Sequence, residues 1–135
     1  MASLPTARLT HAFVFACDLE RVAAFYAGAF GMMRDDTPDA GFVMMRGNGG
    51  AHLAIHALPP AIAAGIDVQS PPRWRDDTAY KICFETDDLG AQRAAVLAHG
   101  GLAKEPWSWA STTFCECTDP EGNVVQIYQP ARPST

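Results

Sequence analysis

Apolar and polar side chains alternate along HAFVFA, residues 11–16, with Ala12, Val14 and Ala16 on one side and His11, Phe13 and Phe15 on the other. That period of two predicts a strand over roughly 9–16. The period then changes. In LERVAAFYAGAF, residues 19–30, Leu19, Val22, Ala23, Phe25 and Tyr26 recur at helical spacing, which predicts a helix with one buried stripe and makes Phe25 and Tyr26 core residues. Asp18 stands where a side-chain oxygen can cap the first turn, and Gly31 where a helix end favours positive φ.

The same order returns 70 residues later, so that HAFVFACDLERVAAFYAGAFGM from 11 lies against KICFETDDLGAQRAAVLAHGGL from 81. Asp18 and Leu19 match Asp88 and Leu89, Ala24 matches Ala94, and Gly31 matches Gly101. These identities sit at the starts and ends of elements, as expected of a duplicated unit. A strand over 80–86 and a helix over 89–100 follow. Three further strand-like runs complete each half: MRDDTP, GFVMMRG and AHLAIHAL in the first, and LAKEPW, STTFCECT and NVVQIYQ in the second. RGNGGA and DPEG supply the turns.

The predicted class is therefore α+β, with two tandem βαβββ modules whose curved mixed sheets surround a cleft. Module 1 covers about 8–58 and module 2 about 79–130. Between them lies 59–78, whose four prolines mark a linker or flap. At 135 residues the chain suits one domain spanning 1–135.

Charge and cysteine content narrow the chemistry. The net charge of -5 and the neutralisation of Arg73 and Arg75 by Asp76 and Asp77 argue against nucleic acid. No apolar run approaches the roughly 18 residues that span a bilayer, and HAFVFAC lacks a charged leader. The expectation is a cytoplasmic protein with no membrane partner. Cys17, Cys83, Cys115 and Cys117 form no C-x2-C pair. Cys115 and Cys117 share a strand face, poorly placed for a mutual disulfide, and all four cysteines are expected as buried reduced thiols.

Strand parity selects the residues facing the cleft. His11, Phe13 and Phe15 fall together; so do His52, Ala54 and His56, then Lys81, Cys83 and Glu85, then Val124, Gln126 and Tyr128. A constant offset of 70 makes His11 equivalent to Lys81 and His56 equivalent to Gln126, and gathers four polar groups. Trp107 and Trp109 share parity and can offer aromatic walls.

This layout resembles the vicinal oxygen chelate superfamily, which includes glyoxalase I, bleomycin-resistance proteins and extradiol dioxygenases. The strand and Asp-Leu helix of HAFVFACDLERVAAFYAGAFGM and the turn and strand of DPEGNVVQIYQ carry the resemblance, which extends over about residues 8–130. In metal-using members, four His or Glu positions hold the ion, and they match His11, His56, Lys81 and Gln126. A Lys ammonium repels a dication, and a Gln offers neither a carboxylate's charge nor its basicity.

The resemblance then implies two readings. In the first, the protein is a binder without a full metal site or cofactor, a homodimer whose clefts join the first half of one chain to the second half of the other. Phe13, Phe15, Trp107, Trp109 and Tyr128 are its walls, and Lys81 and Gln126 fix polar groups of a small organic ligand. In the second, it is a lyase or dioxygenase-like enzyme with a residual divalent ion, Zn, Fe, Mn or Ni, on His11 and His56, joined in one version by His52. Glu85 is the candidate base, or else pairs with Lys81 on the same strand face.

Overall fold

The computed structural model describes residues 3–131, which form two four-stranded mixed sheets, each with one long helix on one side. In the first half, β1 (His11–Ala16), α1 (Leu19–Phe30), β2 (Met33–Asp36), β3 (Phe42–Arg46) and β4 (His52–Ala57) give the strand order β1-β4-β3-β2. β1 runs parallel to β4, and the other pairs are antiparallel. A short helix, α2 (Pro60–Ala63), opens the linker, with a proline at its first turn where the missing N–H costs nothing.

The second half repeats the plan as β5 (Ile82–Glu85), α3 (Leu89–Ala98), β6 (Trp107–Trp109), β7 (Thr112–Thr118) and β8 (Val124–Gln129), in the order β5-β8-β7-β6. Both aspartate caps form: Asp18 accepts from the Arg21 amide and Asp88 from the Ala91 amide. Gly31 adopts the left-handed conformation that closes α1. In module 2 the positive φ falls on Gly100, the first of the paired glycines that follow α3.

The expected strand over 102–107 is split. Leu102 and Lys104 exchange backbone hydrogen bonds with Thr118 and Glu116, and Ala103 bridges Cys117, but the named strand begins only at Trp107. Pro106, which has no N–H to give to a ladder, interrupts the run. The 107–109 strand then turns through Ala110 and Ser111, both at positive φ, into β7.

Helix faces and sheet faces share one core. Val22, Phe25 and Tyr26 of α1 meet Val43, Met45 and Ile55; Leu89 and Val96 of α3 join Cys115, Cys117, Val125 and Ile127. All four cysteines are free thiols, but only Cys115 and Cys117, whose sulfurs lie 3.8 Å apart, are buried; Cys17 is half-buried and Cys83 exposed, at the sheet edge that β5 forms. The halves meet through the helical layer: Phe30 stacks on Phe84 at 3.9 Å between centroids, and Gln92 donates to the carbonyl of Ala29.

The DPEG turn locks that joint. Asp119, fully buried, accepts from the Glu121 and Asn123 amides, the Asn123 side chain and the Tyr26 hydroxyl. Burial raises the Asp119 carboxyl above its ordinary range, against the pull of those hydrogen bonds. Glu121, 4% exposed, reaches into module 1 and accepts from the amides of Cys17 at 2.9 Å and Asp18 at 2.7 Å. At Gly122, φ is 88° and a Cβ would stand 1.9 Å from the Arg73 carbonyl oxygen, so only glycine fits there.

Candidate functional site

With the helices on one side of each sheet, the opposite side of each carries the residues that parity places there. On module 1 the cross-strand row Phe15, His56 and Phe42 runs over β1, β4 and β3, beside the row Phe13, Ala54 and Met44. The rings converge. Phe13 and Phe15 lie 5.0 Å apart, Phe13 and Phe42 6.0 Å, and the His56 ring lies 6.0 to 6.1 Å from each of the three phenylalanines. Phe13 and Phe15 remain 46% and 57% exposed. Within this patch the Nδ1 atom of His56 is buried and has no hydrogen-bond partner.

On module 2 the equivalent row is Glu85, Tyr128, Phe114 and Trp107. Trp107 stacks on Phe114 at 4.5 Å, and Phe114 lies 6.5 Å from Tyr128. Trp109, near the hairpin turn, is 71% exposed. The neighbouring row is polar: Cys83, Gln126 and Glu116. Gln126 is buried, and its side-chain carbonyl accepts from the Cys83 thiol at 3.8 Å.

Lys81 pairs with Glu116 at 3.1 Å and not with Glu85, which lies beside Tyr128. The correction comes from sheet order, since β8 lies between β5 and β7 but the Lys side chain is long enough to cross it. Lys104 also bonds Glu116, at 3.4 Å, while standing 4.7 Å over the Trp74 ring. The hydrogen bond from Lys81 holds the Glu116 carboxyl below its ordinary range, against partial burial. Beside this pair is an open cavity of about 280 Å³ lined by Asp76, Thr78, Tyr80, Lys81, Glu116 and Val124.

The register also corrects the repeat arithmetic. Phe13 pairs with Ala54 and Cys83 with Gln126, so first strands that match at an offset of 70 put the last strands at 126 − 54 = 72. Counted from the start of its helix, module 2 carries two extra residues before its last strand. Gln126 is therefore equivalent to Ala54, and His56 to Tyr128.

The predicted polar residues are only partly gathered. His11 stands opposite His52, and its Nδ1 lies 2.8 Å from the Thr10 hydroxyl. His56 pairs four residues further along, about 13 Å at strand spacing. Among the described residues, no set of three His, Cys, Asp or Glu side chains is arranged to hold an ion. The donors that meet on each face fit a divalent ion poorly: two imidazoles at His11 and His52, an ammonium already paired, and an amide.

The open faces are not closed over one another within the chain: among the described residues, no strand pairing, hydrogen bond or ring contact joins them. Sequence parity brought out Phe13, Phe15, His56, Trp107 and Tyr128, but not Phe42, Phe114 or Glu116. Sorting β3 and β7 by parity in the same way would have found all three.

The sequence model of the Glyoxalase/Bleomycin resistance protein/Dioxygenase superfamily matches residues 8–127. Among curated proteins, none matches the chain by sequence. Solved structures with the same fold include the antibiotic binding protein TnmS3 from Streptomyces sp. CB03234, at 19% identity and TM-score 0.68, with 96% of this chain and 100% of that one covered. Fosfomycin resistance protein FosX from Mesorhizobium loti is similar at 15% identity and TM-score 0.69, with 94% and 95% covered. A glyoxalase/bleomycin resistance protein/dioxygenase family enzyme from Burkholderia phytofirmans PsJN is similar at 21% identity and TM-score 0.69, with 91% and 98% covered. No helix among the described residues is long and apolar enough to cross a membrane.

Proposed function

The chain belongs to the Glyoxalase/Bleomycin resistance protein/Dioxygenase superfamily, and from that premise we propose that it binds a small, flat organic molecule without a complete catalytic metal centre. The observation that carries this reading is the pair of equivalent aromatic rows, Phe15-His56-Phe42 and Tyr128-Phe114-Trp107, each on an open sheet face. Exposed aromatic area of this kind gains from being covered, and stacked rings favour a planar guest. The printed description of TnmS3 as an antibiotic binding protein agrees in kind.

The modules meet through their helices, so a groove with both rows as walls requires a second copy, with module 1 of one chain facing module 2 of the other. That arrangement puts Phe13, Phe15 and His56 opposite the partner copy's aromatic row. Lys81 and Gln126 supply the polar end, where Lys81 exchanges its Glu116 partner for an acceptor on the ligand.

A metal-dependent lyase or dioxygenase-like activity is the second reading, and His11 opposite His52 is the observation in its favour. Metal content after purification without added metal, read together with sedimentation and tryptophan quenching by a planar ligand, separates the two. Metal-free dimers that quench support the binder. Stoichiometric metal lost in both His11→Ala and His52→Ala supports the enzyme.

A further inference from the structure

The orphaned nitrogen of His56 says more about the ligand. Resting on the reading of the module 1 face as a ligand wall, we infer that His56 is fixed by its own surroundings as the Nε2–H tautomer, a hydrogen-bond donor rather than a metal ligand. The molecule over the Phe13, Phe15 and Phe42 rings then carries an oxygen acceptor, such as a ketone or quinone carbonyl.

A neutral imidazole has one N–H and one lone pair. The Nδ1 atom of His56 is buried with no partner, and its ring neighbours are Phe13, Phe15 and Phe42. An N–H placed there would be a buried donor without an acceptor, a rarer and costlier situation than an unused lone pair. The proton therefore sits on Nε2.

Metal ligation asks for the reverse. A histidine that gives its Nε2 lone pair to an ion keeps the proton on Nδ1, and that N–H almost always goes to a carboxylate, a carbonyl or water. Here no such acceptor, among the described residues, stands within hydrogen-bond reach of Nδ1. The same surroundings that make His56 a poor ligand make it a good donor, because an Nε2–H beside three phenylalanine rings decides which flat molecules are accepted. A hydrocarbon would leave that donor unpaired once it covered the face, whereas a carbonyl would not.

Two measurements test this. In long-range ¹H–¹⁵N NMR of the histidine side chains at neutral pH, His56 shows the Nε2–H pattern and does not shift when zinc alone is added. An Nδ1–H pattern, or a zinc-induced shift of its Nε2, overturns the inference. For binding, 2-acetylnaphthalene is compared with its near-isosteric alkene 2-isopropenylnaphthalene by tryptophan quenching. The wild type prefers the ketone by about fivefold, the worth of one net hydrogen bond. His56→Phe erases the preference, and His56→Gln, which keeps an amide donor, restores part of it. Equal binding of both probes by the wild type overturns the inference while leaving aromatic binding intact. Binding of neither probe refutes the aromatic-binding reading instead, and the NMR pattern then decides the tautomer alone.

Discussion

Glu121→Gln tests the joint that sets the two faces relative to each other. Each Glu121 oxygen accepts one backbone amide of module 1, from Cys17 at 2.9 Å and Asp18 at 2.7 Å, and the side chain is 4% exposed. The amide of glutamine has nearly the same shape, but it replaces one acceptor oxygen by an NH₂ donor that must face a backbone N–H. One charge-assisted bond is lost, about 1.5 to 3 kcal/mol, and one N–H is left buried and unpaired at a cost of about 1 to 3 kcal/mol. Because the turn can relax, the lower half of that range applies, about 3 kcal/mol. With a urea slope of about 1.5 kcal/mol/M, the unfolding midpoint falls by about 2 M. Urea titration followed by tryptophan fluorescence, at one fixed protein concentration, reads the change. A midpoint within about 0.5 M of wild type would show that the turn does not couple the modules.

Other substitutions probe the buried turn, the Lys81–Glu116 pair and the aromatic face separately. Tyr26→Phe deletes the 2.9 Å bond to Asp119, but Asp119 keeps three other donors, so a loss of about 1.5 kcal/mol is expected by calorimetry. Gly122→Ala puts a methyl against the Arg73 carbonyl at positive φ and should cost more than about 2 kcal/mol in the same assay. The Glu116 carboxyl is lowered in the folded state by Lys81, so its stabilisation is complete above the ordinary carboxylate range and fades as pH falls through the lower folded value. In urea titrations between about pH 5 and 3, Glu116→Gln removes that part of the decline, a difference of about 0.2 to 1 kcal/mol for so exposed a pair. Phe15→Ala, 57% exposed in the wild type, leaves folding stability within about 0.5 kcal/mol and weakens binding of a flat aromatic probe by about tenfold.

Much of the fold was legible because its signals are local. Asp18 and Asp88 cap through their own side chains, Gly31 closes a helix through its own φ, and the alternation in HAFVFA sorts faces without reference to the rest of the chain. What misled was a quantity that depends on cross-strand register. A single offset of 70 describes β1 and α1, but two residues added before β8 move the last strand to 72, which separates His56 from Gln126. The partner of Lys81 was equally hidden, since Glu116 is 35 residues away and only the strand order brings it near. Pro106 was visible in the sequence, and its missing N–H accounts for the divided sixth strand.

The most direct measurement is a backbone amide NMR titration of chelator-treated protein with 2-acetylnaphthalene. Shifts are expected to concentrate at Phe13, Phe15, Phe42 and His56 and at Trp107, Phe114 and Tyr128, with no requirement for added metal. Shifts confined to the linker around Asp67 and Arg73, or appearing only once a divalent ion is supplied, would contradict that expectation.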